Sequence, residues 1–264
     1  MSTTPLRIAI VQQPMAWTTP QNTEHIVAAL ALAGAQGAGI AVFPELALTG
    51  FHRGIRAEAV PATVEVALQQ VRAACREHGM ACALGAPTFA ADGAILNSYL
   101  HIDVNGEIVS SVSKNGLTPA ELTFFAPGTE RPVMQFAGRR CTTVMCREID
   151  DLDSIAAQLQ ADPVDLVFWP SMVGNPPGTI HPTPEDTADL GYFKRTAVLA
   201  RRLGAFVVQS NWPQALNTPE STWLGESKVY AGDGEVLLTL PRDQPGVGVF
   251  TLGERDFRWT PLAV

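Results

Sequence analysis

Three side chains far apart in the chain have the makings of one acyl-transfer site: the glutamate of Pro44-Glu45, the lysine of Ser113-Lys114 and the cysteine of Met145-Cys146. Each follows a run rich in β-branched and apolar residues, as a strand would be, and stands at or just past its end. In open α/β sheets, ligands collect beyond the carboxyl ends of strands. A thiol at its ordinary pKa is mostly protonated near neutral pH. Glu45 would therefore take the Cys146 proton as general base, and Lys114 would favour the thiolate and then bind the oxyanion of a tetrahedral intermediate. The backbone N–H of Arg147 would be a second oxyanion donor. Glu45 would later pass its proton to a leaving amine and activate the water that clears the acyl-enzyme. Taken singly, each of these residues also reads as a solvated turn or, for the cysteine, a buried filler.

The elements that must position them follow from the hydrophobic pattern. Arg7 to Val11, Ile40 to Phe43 and Met80 to Ala86 are short apolar runs suited to strands covered on both faces. Helical spacing over His25 to Ala35 follows Thr19-Pro20, an N-cap with proline at the first helical position, and ends at Gly37 and Gly39. Gly34, Gly37 and Gly39 follow this helix rather than open one, so they are no phosphate loop. Pro61 to His78 is a second helix, stopped by Gly79. Asn105-Gly106 predicts a hairpin between Ile95 to Ile102 and Glu107 to Val112, whose second arm delivers Lys114. A loop from Leu117 to Gly128 precedes a hairpin, Val133 to Phe136 with Cys141 to Met145, turning at Gly138-Arg139.

Cys146 then stands where a strand turns into a helix over Asp153 to Gln160. A strand from Asp165 to Trp169 ends at Pro170-Ser171, and a Pro/Gly-rich loop runs from Met172 to Pro184. Thr187 to Leu203 reads as a long helix, Ala205 to Gln209 as a strand ending at Ser210-Asn211, and Gly232-Asp233-Gly234 as the turn of a third hairpin. Gly246 to Leu252 closes the sheet. Trp169, Ser171, Met172 and Asn211, at strand ends, are candidates to line a substrate pocket, though Trp169 reads better as structural packing; His181 in the loop could reach substrate but reads better as a solvated histidine. Strands alternating with helices, and hairpins in place of some crossovers, give a mixed α/β sheet system in a single domain spanning residues 1–264.

Composition narrows the function. A net charge of −8 without a basic block argues against nucleic acid and against an anionic membrane surface as partners. No apolar run reaches the roughly 18 residues of a membrane span, and Met1 to Pro5 carries no signal pattern, so a cytoplasmic protein is expected. The four cysteines form no Cys-x-x-Cys pair and no histidines have zinc spacing, so neither a metal nor a disulfide framework is expected. On a regular strand Cys141 and Cys146 would face opposite sides, so only one belongs to a site.

Phe43-Pro44-Glu45-Leu46 with Thr49-Gly50-Phe51, Lys114-Asn115-Gly116-Leu117 and Val144-Met145-Cys146 together resemble the nitrilase (carbon–nitrogen hydrolase) superfamily in order and approximate spacing. Weaker similarities extend nearly end to end, among them Phe125-Ala126-Pro127-Gly128, Asp165 to Ser171 and Gly225-Glu226-Ser227. The resemblance implies a four-layer α-β-β-α sandwich, two mixed sheets between helix layers. It also implies a Glu-Lys-Cys triad that attacks a nitrile, amide or carbamoyl carbon with water and without a cofactor, in a homo-oligomer such as a dimer. By the same resemblance Glu121 is the second glutamate that holds the lysine or the substrate. The flanks depart from the common pattern: Cys146-Arg147-Glu148 stands where many members have Cys-Tyr-Asp-Arg or Cys-Trp-Glu, and Ser113-Lys114-Asn115 replaces Arg-Lys-His. The Arg147 side chain is open to substrate or to pairing with an acid such as Glu148. An amidase on a small amide is the leading expectation, with a nitrilase, an N-carbamoyl hydrolase or an idle metabolite-binding member as alternatives.

Overall fold

Alternation along the strands decides the architecture. In β1 (Arg7–Gln12), Ile8 and Ile10 face one core while Ala9 and Val11 face another. The same split divides Ile40 and Val42 from Ala41 in β2 (Ile40–Val42), and Ala81 and Ala83 from Cys82 and Leu84 in β3 (Ala81–Phe89). A strand that is apolar on both faces needs a partner layer on each side. The computed structural model, which describes residues 5–174 and 190–262, supplies them as two mixed sheets packed face to face with helices outside.

The first sheet continues through β4 (Ile95–Ile102) and β5 (Ile108–Ser113), and on its other side through β12 (Gly246–Thr251) and β13 (Phe257–Pro261), in the order β13-β12-β1-β2-β3-β4-β5. The second comprises β6 (Met134–Phe136), β7 (Arg139–Thr143), β8 (Leu166–Ser171), β9 (Phe206–Asn211), β10 (Lys228–Tyr230) and β11 (Val236–Thr239), in the order β11-β10-β9-β8-β7-β6. Between the sheets Ile8, Val42 and Tyr99 meet Phe136, Cys141, Leu166 and Phe168. Outside the first sheet lie α1 (Thr19–Ala35) and α3 (Pro61–His78), with a short α2 (Ile55–Glu58) between them in sequence. Outside the second lie α4 (Leu152–Ala161) and α5 (Leu190–Leu203), whose Leu159 and Leu199 pack on Val167, Trp169 and Val207. The expected sandwich is therefore the observed one.

Strand direction gathers the polar ends. β1, β2 and β3 are parallel. β4 runs back against β3 and β5 against β4, so β5 points the same way as β3. Residues just past β2 and β5 thus emerge at one edge of the sheet, where the first residues of β4 also lie. In the other sheet β7, β8 and β9 are parallel.

Local expectations shift in places. Thr18 rather than Thr19 precedes the first helix, with Pro20 inside its first turn. The β6–β7 turn is Ala137-Gly138, both at positive φ, 50° and 75°, one residue before the expected Gly138-Arg139. Such two-residue turns need left-handed backbone at both positions. Gly246 to Leu252 does not close its sheet, because β13 pairs outside it. That edge strand is mostly exposed and lacks a clean apolar alternation, which hid it. His181 and most of the 172–184 loop lie outside the described residues, as do the first residues expected in the last helix.

Candidate active site

Glu45 sits on a turn that only a close backbone approach permits. Past β2 the chain passes over Gly85 of β3, where a Cβ would lie 2.2 Å from the Leu46 nitrogen and 2.6 Å from the Pro44 oxygen. The Tyr99 hydroxyl donates to the Phe43 carbonyl at 2.7 Å and the Trp212 indole N–H to the Glu45 carbonyl at 2.8 Å. Pinned at both ends, the Glu45 side chain is wholly buried.

Lys114 follows β5 and is buried too. Its Nζ donates to Glu45 Oε1 at 2.7 Å and to Glu121 Oε1 at 2.6 Å. Glu121 begins a one-turn 3-10 helix (Glu121–Thr123), and its other oxygen accepts from the Thr118 N–H at 2.8 Å. Asn97 of β4 donates to both carboxylates, at 2.8 Å to Glu45 and 3.3 Å to Glu121. Glu45 Oε1 is thus engaged twice, while its buried Oε2 has no hydrogen-bond partner among the described residues.

Cys146 is half-buried and opens a 3-10 turn (Cys146–Asp151) that runs into α4. Its φ is 45°, a left-handed conformation that costs a non-glycine residue on the order of 1 kcal/mol. The surroundings impose it. The Trp169 indole N–H donates to the Cys146 carbonyl at 3.0 Å. Glu148 accepts from the Met145 N–H at 2.7 Å and returns its own N–H to the Met145 carbonyl at 2.9 Å. The other oxygen of Glu148 accepts from the backbone of Asn115 at 2.8 Å and Gly116 at 3.2 Å, and from Arg131 at 2.9 Å. A single buried carboxylate therefore ties the segment after Lys114 to the segment before Cys146. The Cys146 thiol is oriented toward the Met172 carbonyl, 3.9 Å from Sγ.

Cys146, Lys114 and Glu121 line one cavity of about 650 Å³. Arg147 and Met172 line it as well, with Leu46, Phe51 and Phe124 among its apolar walls. Trp169, Ser171 and Asn211 do not. Trp169 faces the outer core and Phe193, which leaves only its N–H for the cysteine turn. Ser171 Oγ donates to the side-chain oxygen Oδ1 of Asn211 at 3.1 Å. Asn211 accepts from the Val173 N–H and donates to the Val173 and Gly225 carbonyls. These two shape the Met172–Gly174 wall from behind. Arg147 approaches Asp151 at 3.5 Å, whereas Glu148 is matched by Arg131. Cys141 points into the core between the sheets, away from Cys146.

Electrostatics couple the cluster. Burial, and then the Glu45 charge, push the Cys146 thiol up to about 12 against the pull of Lys114. Burial raises Glu45 above its ordinary value despite Lys114. For Lys114 burial works toward neutrality, but Glu45, Cys146 and Glu121 together overcome it and hold the ammonium charged. Burial acts to raise Glu121 also, and contact with Lys114 prevails and lowers it. Such a constellation can move a proton from thiol to carboxylate beside a fixed positive charge. Among the described residues no group of three or more His, Cys, Asp or Glu side chains is placed to hold a metal ion.

Asn97, Arg131 and the bracing role of Glu148 escape sequence reading. Asn97 interrupts an otherwise strand-like run, the one local sign of a buried polar partner. Arg131 and Glu148 find each other only through tertiary packing.

The fold recurs in known proteins. In fold, the chain is similar to an amidase from Nesterenkonia sp. at a TM-score of 0.81 and 24% identity, covering 97% of this chain and 93% of that one. A mutant of that amidase showing Michael addition of acrylamide at the active site cysteine aligns at a TM-score of 0.79 and 23% identity, over 95% and 94% of the two chains. A bromoxynil-specific nitrilase from Klebsiella pneumoniae subsp. ozaenae is 23% identical over 195 residues, 67% of this chain but only 55% of the nitrilase's length. The family model described as Carbon-nitrogen hydrolase matches residues 7–254. The chain belongs to the carbon–nitrogen hydrolase family, within the nitrilase superfamily.

Proposed function

We propose that this protein is an amidase that hydrolyses a small amide through a thioester on Cys146, with Glu45 and Lys114 completing the triad. The observation that carries the reading is Lys114 Nζ, 2.7 Å from Glu45 and 2.6 Å from Glu121, in the wall it shares with the thiol. Sγ attacks the amide carbon while its proton passes to the free Oε2 of Glu45. The C–N bond breaks, that proton leaves with the amine or ammonia, and the acyl group stays on sulfur. Water then gives a proton to Glu45 and its oxygen to the thioester carbon. The C–S bond breaks, the acid departs and the thiol regains its proton. Lys114 and the Arg147 N–H face the oxyanion in both tetrahedral intermediates. Glu121 keeps Lys114 charged and in place.

Similarity to an amidase over nearly the whole of both chains supports an amide as substrate. The nitrilase match favours a second reading, a nitrile taken by the same thiol. A panel of short amides, nitriles and N-carbamoyl amino acids, scored by ammonia release from wild type and Cys146→Ala, decides between them. Amide turnover abolished in the variant is the expected result; equal turnover by both proteins refutes the nucleophile. The proposal extends to a cytoplasmic homodimer. Light scattering should give about twice the 28.2 kDa chain mass, and a monomer mass would contradict the dimer.

A further inference from the structure

The rim of the cavity carries charge that hydrolysis of a plain amide does not use. Arg53 and Arg56 belong to the segment that follows Glu45 into α2, and both line the cavity while remaining exposed. Neither has an ion-pair partner among the described residues. Arg56 is held by the Thr123 carbonyl at 2.7 Å and lies over the Phe124 ring at 4.9 Å. Arg53 stands 5.9 Å from the Trp17 ring centre, and its backbone N–H donates to Asn217 at 2.9 Å. The third rim guanidinium, Arg147, already has Asp151 nearby. Among the described residues the only carboxylate lining the cavity, Glu121, is spent on buried Lys114.

A chain of net charge −8 thus places three guanidinium groups, those of Arg53, Arg56 and Arg147, along one cavity. Stacked guanidinium groups are weakly hydrated and retain planar donors for a carboxylate. The same cavity has apolar walls, among them Leu46, Phe51, Phe124 and Met172, and buried polar groups in Lys114 and Glu121. A ligand suited to this lining is polar at its buried end, apolar in the middle and anionic at its outer end.

Building on the amidase reading, we infer that the substrate is an amide bearing a carboxylate at the far end of a short apolar spacer, and that Arg53 and Arg56 receive that carboxylate. The field at the mouth would also draw such an anion in, an effect that weakens with salt.

The test pairs each acid amide with a neutral amide in which methyl replaces the carboxylate: succinamic acid with butanamide, glutaramic acid with pentanamide, adipamic acid with hexanamide. For at least one pair kcat/KM should favour the acid by about tenfold or more, as one charge-assisted hydrogen bond would give. That ratio should shrink in 0.5 M salt, where charges are screened within a few ångströms, and fall toward one in Arg56→Gln and Arg53→Gln. Arg56→Lys, which keeps the charge, should retain part of it. Equal rates for acid and neutral members, or a ratio unmoved in both glutamine variants, overturns the inference while leaving the thioester chemistry intact. Should no pair be turned over, the amidase reading fails for these amides, and calorimetry on Cys146→Ala decides the rim: tighter binding of the acid member, lost in Arg56→Gln, supports it, and equal or absent binding of the two overturns it.

Discussion

At Cys146 burial opposes the charge that the proposed chemistry needs. Burial and the Glu45 charge push the thiol up to about 12, so the proposed attack starts from a neutral thiol that gives up its proton as it proceeds. Glu45 must be ionised to accept it, and burial raises Glu45 above its ordinary value. Below its folded pKa the carboxylate is protonated and idle. So kcat/KM on a small amide should fall about tenfold per pH unit on the acid side, with a midpoint above the usual glutamate value of about 4.3. Lys114, held charged by its neighbours, should add no break at neutral pH. A pH profile with its acid midpoint at or below the ordinary value would count against Glu45 as base. Glu45→Gln should lower kcat by about 10²–10⁴ and remove the acid limb.

Elements position these residues through contacts that single substitutions can probe. Gly85→Ala would drive a Cβ into the Pro44–Leu46 backbone and displace Glu45. A shift of about 1 Å at a reacting group costs on the order of 100-fold in rate, so kcat should drop that far while circular dichroism stays near wild type; an unchanged kcat would show that the turn tolerates the move. Glu148→Gln leaves buried Arg131 without its counter-charge, which should cost about 3 kcal/mol in urea unfolding. Wild-type stability in that variant would deny Glu148 its bracing role. At this scale the sequence was informative where a rule is local. Strands apolar on both faces, Pro61 and Gly79 at the ends of α3, and Asn105-Gly106 between β4 and β5 were all legible. Glu45, Lys114 and Cys146 stood out as strand-end residues, and it was the family resemblance of their flanking motifs that set them apart from ordinary turn residues. Asn97, Arg131, Arg53 and Arg56 were not, because their partners lie on other elements. Trp169 packs in the outer core, the structural reading of its position, instead of lining the pocket: the end of a strand locates a residue, but alternation decides which face its ring takes.

For the molecule as a whole, the core between the sheets carries a titratable group. His101 is fully buried, its Nε2 3.2 Å from the Thr143 hydroxyl and its ring against Phe136 and Phe168. Burial lowers its pKa to about 3, from an ordinary value near 6.5. The unfolded chain therefore takes up this proton first as pH falls. The contribution is fully present above about 6.5 and is lost toward 3, at up to about 1.4 kcal/mol per pH unit. Raised Glu45 acts with the opposite sign, so the test is a difference: urea stability at pH 7 minus pH 5, compared between wild type and His101→Phe. The drop should be smaller in the variant, and an equal drop would exclude His101 as its source. The claim on which the whole account turns is a covalent acyl group on one sulfur. Wild-type protein mixed with a small amide that it hydrolyses, quenched in acid within the first turnover and measured by intact mass and peptide mapping, should carry the acyl mass on Cys146, and Cys146→Ala should carry none. Turnover with no such adduct, together with continued turnover in Cys146→Ala, would contradict it.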